Sequence, residues 1–144
     1  VNPPALHDLE WTPALATGHA GIDDDHRAMV GLLNRLQAAG RRSAEGEIRA
    51  ALAGLEAFTR DHFARQEQLM REIDDELAAR HQREHVSLFD EICAQVDDMN
   101  EGLLSAAAIA DFIRRWWLDH VETEDRRLSA ALARRAAQRG NVDP

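Results

Sequence analysis

At 144 residues the chain has the length of one ordinary domain, and with 44% hydrophobic residues it can bury a core rather than remain a disordered acidic tail. A net charge of −9 argues against nucleic acid or an anionic membrane surface as a partner, and no apolar run approaches the ~18 residues of a membrane span. The single cysteine, Cys93, has no internal disulfide partner, which points to a reducing, cytoplasmic setting.

No charged, apolar and small-residue leader opens the chain, and Val1 fits either a trimmed initiator methionine or a domain cut from something longer. Residues 1–144 are expected to form a single domain, with an arm over 1–20 and a helical bundle over 21–139. The arm holds Pro3, Pro4 and Pro13, and its two histidines, His7 and His19, are expected to face solvent. The fourth proline is Pro144, so nothing between the arm and the last residue must break a helix. That middle stretch is rich in Ala, Leu, Glu, Gln and Arg, which favour helix.

Weak breaks near Gly40, Asp74-Asp75 and Gly102 divide it into four predicted helices, at about 22–39, 44–72, 77–100 and 105–138. Each carries an apolar stripe of helical period. The first stripe runs Met29, Leu33, Leu36, and the second Ile48, Leu52, Leu55, Phe58, then His62. The third runs Leu77, His81, His85, Leu88, Ile92, Val96, and the fourth Ile109, Phe112 or Ile113, Trp116, His120, Leu128, Leu132. Short connections between four such helices imply antiparallel neighbours, hence an all-α, up-down-up-down bundle. Cys93 reads as a small core filler, Asp23 as an N-cap or first-turn carboxylate, and Arg126-Arg127 with Arg134-Arg135 as a solvated basic end.

Histidines interrupt these stripes, and that is the informative feature. His26, His62, His81, His85 and His120 fall on or beside core-facing positions, and every helix supplies at least one. Each buried imidazole needs a partner, and one shared metal would satisfy all of them. His81 and His85 are four apart, about one turn, so their rings share a face. Asp125, five after His120, is positioned to add a carboxylate, with Glu124 the alternative.

A carboxylate-rich di-metal centre of the ferritin type needs Glu-x-x-His on two helices, and no Glu precedes any of the five histidines by three. The stretch His81-Gln82-Arg83-Glu84-His85 matches the inverted zinc-peptidase pattern H-x-x-E-H, with Glu84 as general base. That reading leaves His26, His62 and His120 unexplained.

An ordered set of motifs remains: Trp11, Gly18, Ile22-Asp23-x-x-His26, His62-Phe63 with Glu67 and Met70, His81-x3-His85 with Phe89, Trp116-x3-His120, and Asp125. Together they resemble the hemerythrin family, particularly its bacterial branch, over Trp11 to about Leu128. The resemblance implies two irons, one held by His81, His85 and His120 and the other by His26 and His62. Two carboxylates and an oxo or hydroxo group would bridge the pair, and dioxygen or a small anion such as azide would bind the open position on the two-histidine iron. The protein's part would be to keep water out of that pocket and tune the iron through surrounding contacts.

Two positions depart from the family pattern. The bridging glutamate belongs four residues after the second-helix histidine, where this chain has Gln66, followed by Glu67. A neutral amide is a poor bridge and leaves a buried di-iron cation less compensated. Glu67 lies about 140° around an ideal helix from His62, so it reaches inward only on a distorted backbone. The second departure is Trp117, beside the family tryptophan at Trp116, where leucine usually lines the oxygen pocket. It either crowds the open site or packs between helices.

The expected function is oxygen binding for carriage, storage or sensing, and the absence of output-domain sequence leans against sensing. The alternatives are a di-iron redox enzyme handling peroxide or nitric oxide, and a zinc-peptidase-like site.

Overall fold

A computed structural model describes residues 7–141; Val1, Pro3, Pro4 and Pro144 lie outside them. The chain is an all-α bundle of four helical rods. They are α1 (Ala20–Arg42), α2 (Glu45–Arg71), α3 (Asp75–Asn100), and a last rod made of α4 (Ala106–His120), a π-helical turn (Val121–Asp125) and α5 (Arg126–Gly140). Each rod packs on its neighbours in sequence, and α1 against α4 closes the square. No helix among the described residues is long and apolar enough to cross a membrane.

The helix ends follow from local chemistry. Asp74 caps α3, its carboxylate accepting from the backbone N–H of Glu76 and Leu77, and the Ser105 hydroxyl accepts from Ala108 at the start of α4. His19 does not simply face solvent. It is half-buried, and its Nδ1 accepts from the Ile22 N–H to cap α1. Asp23 then sits in the first turn, accepting from the backbone N–H and hydroxyl of Thr17 at 2.7 and 2.9 Å.

Gly40 does not break α1, which continues to Arg42 and stops at Ser43, in the left-handed region at φ 52°. Gly40 serves packing instead. A Cβ there would come within 3.3 Å of the Ala107 backbone, so the glycine lets α1 and the start of α4 approach closely.

The arm lies along α1. Asn34 exchanges two hydrogen bonds with the backbone of Leu9, at 2.8 and 2.9 Å, and the Arg27 guanidinium sits 4.0 Å over the Trp11 ring. Arg114 of α4 donates to the His7 carbonyl, so the arm also ties α1 to α4.

The interior is layered along the bundle axis. A large apolar core of Leu33, Leu36, Ile48, Leu55, Ile109 and Ile113, with others, fills one end. A small apolar plug of Met70, Ala78 and Leu128 closes the other. Between them lies a polar layer, and antiparallel topology explains its make-up. It draws on the early turns of α1 and α3 and the late turns of α2 and α4, which all lie at one end of an up-down-up-down bundle.

Candidate metal centre

Each rod turns at least one histidine inward because that histidine occupies an apolar-stripe position. His26 shares the buried face of α1 with Ile22, Met29 and Val30; His62 and Gln66 share that of α2 with Leu55, Thr59 and Met70. His81 and His85 lie between Ala78 and Leu88 on α3, and His120 ends α4. All five histidines are buried, with His26 and His81 fully excluded from solvent.

Asp125 reaches the same layer through the π-helical turn. On a regular α-helix a residue five after His120 would point well away from it; the wider turn brings it back to the same face. Glu124 stabilises this arrangement from outside. Its two carboxylate oxygens accept from Arg80 Nη2 and Nε of α3, each at 2.9 Å, and the Thr123 hydroxyl donates to the Asp119 carbonyl at 2.8 Å. Glu124 therefore faces Arg80 while Asp125 faces the histidines.

Asp125 is the hub of the layer. Its Oδ1 lies 3.1 Å from His81 Nε2 and 3.4 Å from His120 Nε2, and its Oδ2 lies 3.1 Å from His26 Nε2. His85 Nε2 is 3.4 Å from His120 Nε2, and one ring nitrogen from each of His81, His85 and His120 falls within 4.8 Å of the others. His26 and His62 form a second group, ring centroids 5.2 Å apart, joined to the first through Asp125. Gln66, fully buried, completes the layer by donating Nε2–H to Asp125 Oδ1 at 2.6 Å.

An outer ring of acids orients two imidazoles by their far nitrogens. Asp25 Oδ2 sits 3.0 Å from His62 Nδ1 and also accepts from Arg65 Nε and Nη2 at 3.1 and 2.9 Å. Glu67 Oε1 sits 2.9 Å from His85 Nδ1. With Nδ1 engaged in this way, Nε2 is left as the inward donor atom. Aromatic rings wall the layer. Phe63 stacks on His85 at 3.5 Å with a 1° interplanar angle, Trp116 stacks on His120 at 4.5 Å and 13°, and Trp117 meets His26 edge-on at 5.8 Å.

Burial disfavours the charged form of His62 and His85. Burial, together with the neighbouring His120 and His81, pushes His85 down to about 2, and burial likewise lowers His62 against the pull of Asp25. Burial alone would raise Asp125, but the close imidazoles of His120, His26 and His81 outweigh it and hold the carboxyl well below its usual range. Burial raises Glu67, opposed by Arg71. Neutral imidazoles and one ionised carboxylate are the protonation states that metal binding requires.

Among the described residues, buried polar atoms of this layer lack hydrogen-bond partners: His26 Nδ1 and Nε2, Gln66 Oε1, His81 Nδ1, His120 Nδ1 and Asp125 Oδ2. His26 Nε2 and Asp125 Oδ2 are near each other but out of hydrogen-bond alignment. Orphaned buried groups are costly, and a cation between His26 Nε2 and Asp125 Oδ2 would remove that cost for these two atoms. The donor set therefore fits a metal.

Every residue singled out in the sequence is accounted for. His26, His62, Gln66, His81, His85, His120 and Asp125 come together in one layer, while Glu67 lies outside it against His85. Trp116 and Trp117 line its wall, Trp117 nearly fully buried. Glu84 lies on the exposed face of α3, away from its histidine neighbours, so the H-x-x-E-H stretch has no base at the site. Cys93 is exposed, not a core filler, because it lies one position past Ile92, off the face that packs on the core. Sequence reasoning missed Asp25 and the Arg80–Glu124 clamp. Asp25 was hidden in the run Asp23-Asp24-Asp25, and nothing local marks Arg80 as its partner's anchor.

A four-helix bundle whose interior gathers imidazoles around one carboxylate defines the chain as a metal-binding bundle. The hemerythrin HHE cation binding domain matches residues 17–132, and the chain belongs to that family. It is 28% identical over 120 residues to a bacteriohemerythrin of Stenotrophomonas maltophilia, covering 81% of this chain and 76% of that protein. It is also 28% identical over 130 residues to one of Ralstonia nicotianae, covering 88% and 90%, and 24% identical over 117 residues to one of Pseudomonas aeruginosa, covering 81% and 76%.

Proposed function

We propose that residues 1–144 form a single domain that holds two iron ions and binds dioxygen reversibly, as a carrier, store or delivery protein. The single observation that carries this reading is the gathering of five buried imidazoles, from all four rods, in one layer where Asp125 meets three of them. So many nitrogen donors exceed what one tetrahedral zinc takes up, and they suit a pair of irons. In this reading His81, His85 and His120 would hold one iron, His26 and His62 the other, and Asp125 would be a ligand between the two groups. Gln66 would offer its partnerless carbonyl oxygen where the hemerythrin pattern has a carboxylate. When bound, iron supplies electrons that dioxygen takes up and returns, chemistry no side chain here can offer. The chain's own residues then do three things. Asp25 and Glu67 orient His62 and His85, Phe63 and Trp116 clamp rings from the side, and Trp117 keeps water from His26.

The neutral amide at Gln66 favours a second reading, a redox enzyme acting on peroxide or nitric oxide. One fewer negative charge raises the reduction potential of a buried cationic pair, which favours the reduced irons and weakens their hold on an oxygen ligand.

Metal analysis with absorption spectra before and after oxygen exposure separates these. Iron near two per chain and an oxygenated form that reverts on deoxygenation are expected. Rapid oxidation with turnover of peroxide or nitric oxide supports the enzyme, and stoichiometric zinc defeats both.

A further inference from the structure

Beyond Leu88 no residue of α3 is buried, although Ile92, Val96 and Met99 continue its apolar stripe. Along this half of the helix a cleft of about 350 Å³ opens between α2, α3 and α4. Leu52, Leu55, Phe89, Ile92, Val96 and Trp116 line it, with Phe63 and Trp117 at its inner end. These two and Trp116 are the rings that touch His85, His26 and His120, so one aromatic wall separates the cleft from the histidine layer.

Water fits this space poorly. The Thr59 hydroxyl is the polar group at the floor, and it is turned toward Met29 Sδ at 3.8 Å. A held water needs two to four polar partners, which an apolar lining does not offer. The mouth carries Arg49, Glu56 and Asp97, but Arg49 is held by Glu45 at 3.0 Å and Glu56 by Arg60 at 2.7 Å. Hence no free cation greets an anion there, and the acids outnumber the arginine. The volume exceeds the ~150 Å³ that holds a benzene in an engineered core, and it lies at the small end of ligand pockets.

We infer that this cleft is a binding site for one small, uncharged aromatic molecule of one or two rings, separate from the histidine layer. Aromatic faces at Phe89 and Trp116 give edge-on or offset contacts to such a ring, and replacing poorly ordered water by an apolar group yields affinity. Because Trp116 and Phe63 belong to both regions, an occupant presses on the rings that flank His120 and His85.

The test uses the purified protein with toluene, benzoate and benzylammonium, which share one ring and differ in charge. Cys93, the only cysteine, lines the cleft and is exposed, so its rate of thiol modification reports occupancy. Toluene should bind saturably at one per chain, perturb tryptophan emission and slow Cys93 labelling, with benzoate and benzylammonium at least about tenfold weaker. Ala53→Phe and, from the opposite wall, Val96→Phe should each abolish toluene binding while iron content and helical circular dichroism stay unchanged. Several results overturn the proposal: no saturation up to toluene's solubility, benzoate binding as tightly as toluene, or toluene binding that survives either filled variant. A dimer in sedimentation that Ala53→Phe dissociates also overturns it, by assigning the cleft to a second copy of the chain.

Discussion

Along the bundle the interior changes character within a few turns. Around Leu36 and Ile109, both fully excluded from solvent, side chains meet only hydrocarbon, and burial itself stabilises the fold. Around Asp125, equally buried, side chains meet imidazoles and an amide, and burial without a cation is a cost offset by hydrogen bonds that do not reach every atom. The first region holds the rods together; the second spends part of that stability on keeping donors dry and aligned. A binding layer of this kind is tolerable only because apolar packing flanks it on both sides, with Met70, Ala78 and Leu128 closing the far end.

The comparison breaks most visibly at Leu36. Leu36→Ala should cost about 2–5 kcal/mol in urea denaturation, while iron per folded chain stays as in the parent protein. Loss of iron from the folded fraction would show that the two regions are not separable.

Gln66→Glu sharpens the contrast from the polar side. It sets a second carboxylate beside Asp125, where Gln66 now donates at 2.6 Å. Without metal the variant should be less stable, since two buried like charges repel; with iron it should bind the second ion at least about tenfold more tightly. Iron stoichiometry and melting temperature, measured on metal-free and loaded protein, check both signs. Glu67→Gln is the control, since it keeps an oxygen acceptor for His85 Nδ1 and should shift iron content far less. If that variant empties the site while Gln66→Glu leaves it alone, the ligand assignment at position 66 is wrong.

The smallest effect is expected on the boundary between the regions. Trp117 packs in the apolar core and also meets His26 edge-on, so Trp117→Leu should speed azide binding by a few-fold and lower stability modestly. Unchanged azide kinetics with the stability loss alone would make it a packing residue.

Much of this was legible in the sequence. The four apolar stripes gave the rods, because a period near 3.6 survives whatever the partners are, and the histidines stood out because imidazoles are rare on such a stripe. The helical angle disfavoured Glu67 without excluding it, and the fully buried one of the two is Gln66. Asp125 was not derivable this way, because its inward direction depends on a π-helical turn and on Arg80, which is 44 residues from the Glu124 that it grips. The stripe Leu88, Ile92, Val96 does face the core, Leu88 buried and the other two partly so. Cys93, one position past Ile92, lies about 100° off that stripe and is exposed.

The π-helical turn also divides the last rod into two helical phases. One residue more than an α-helix needs is accommodated between His120 and Arg126, so everything downstream is rotated by about 100° relative to a continuous helix. Leu128 and Ala131 are the buried residues of the stretch beyond the turn. The length of this short segment is therefore as informative as its composition. Substitutions within it change one contact each, whereas deleting a single residue would let the turn close into regular α-helix and leave Asp125, then four positions after His120, on the face it now occupies.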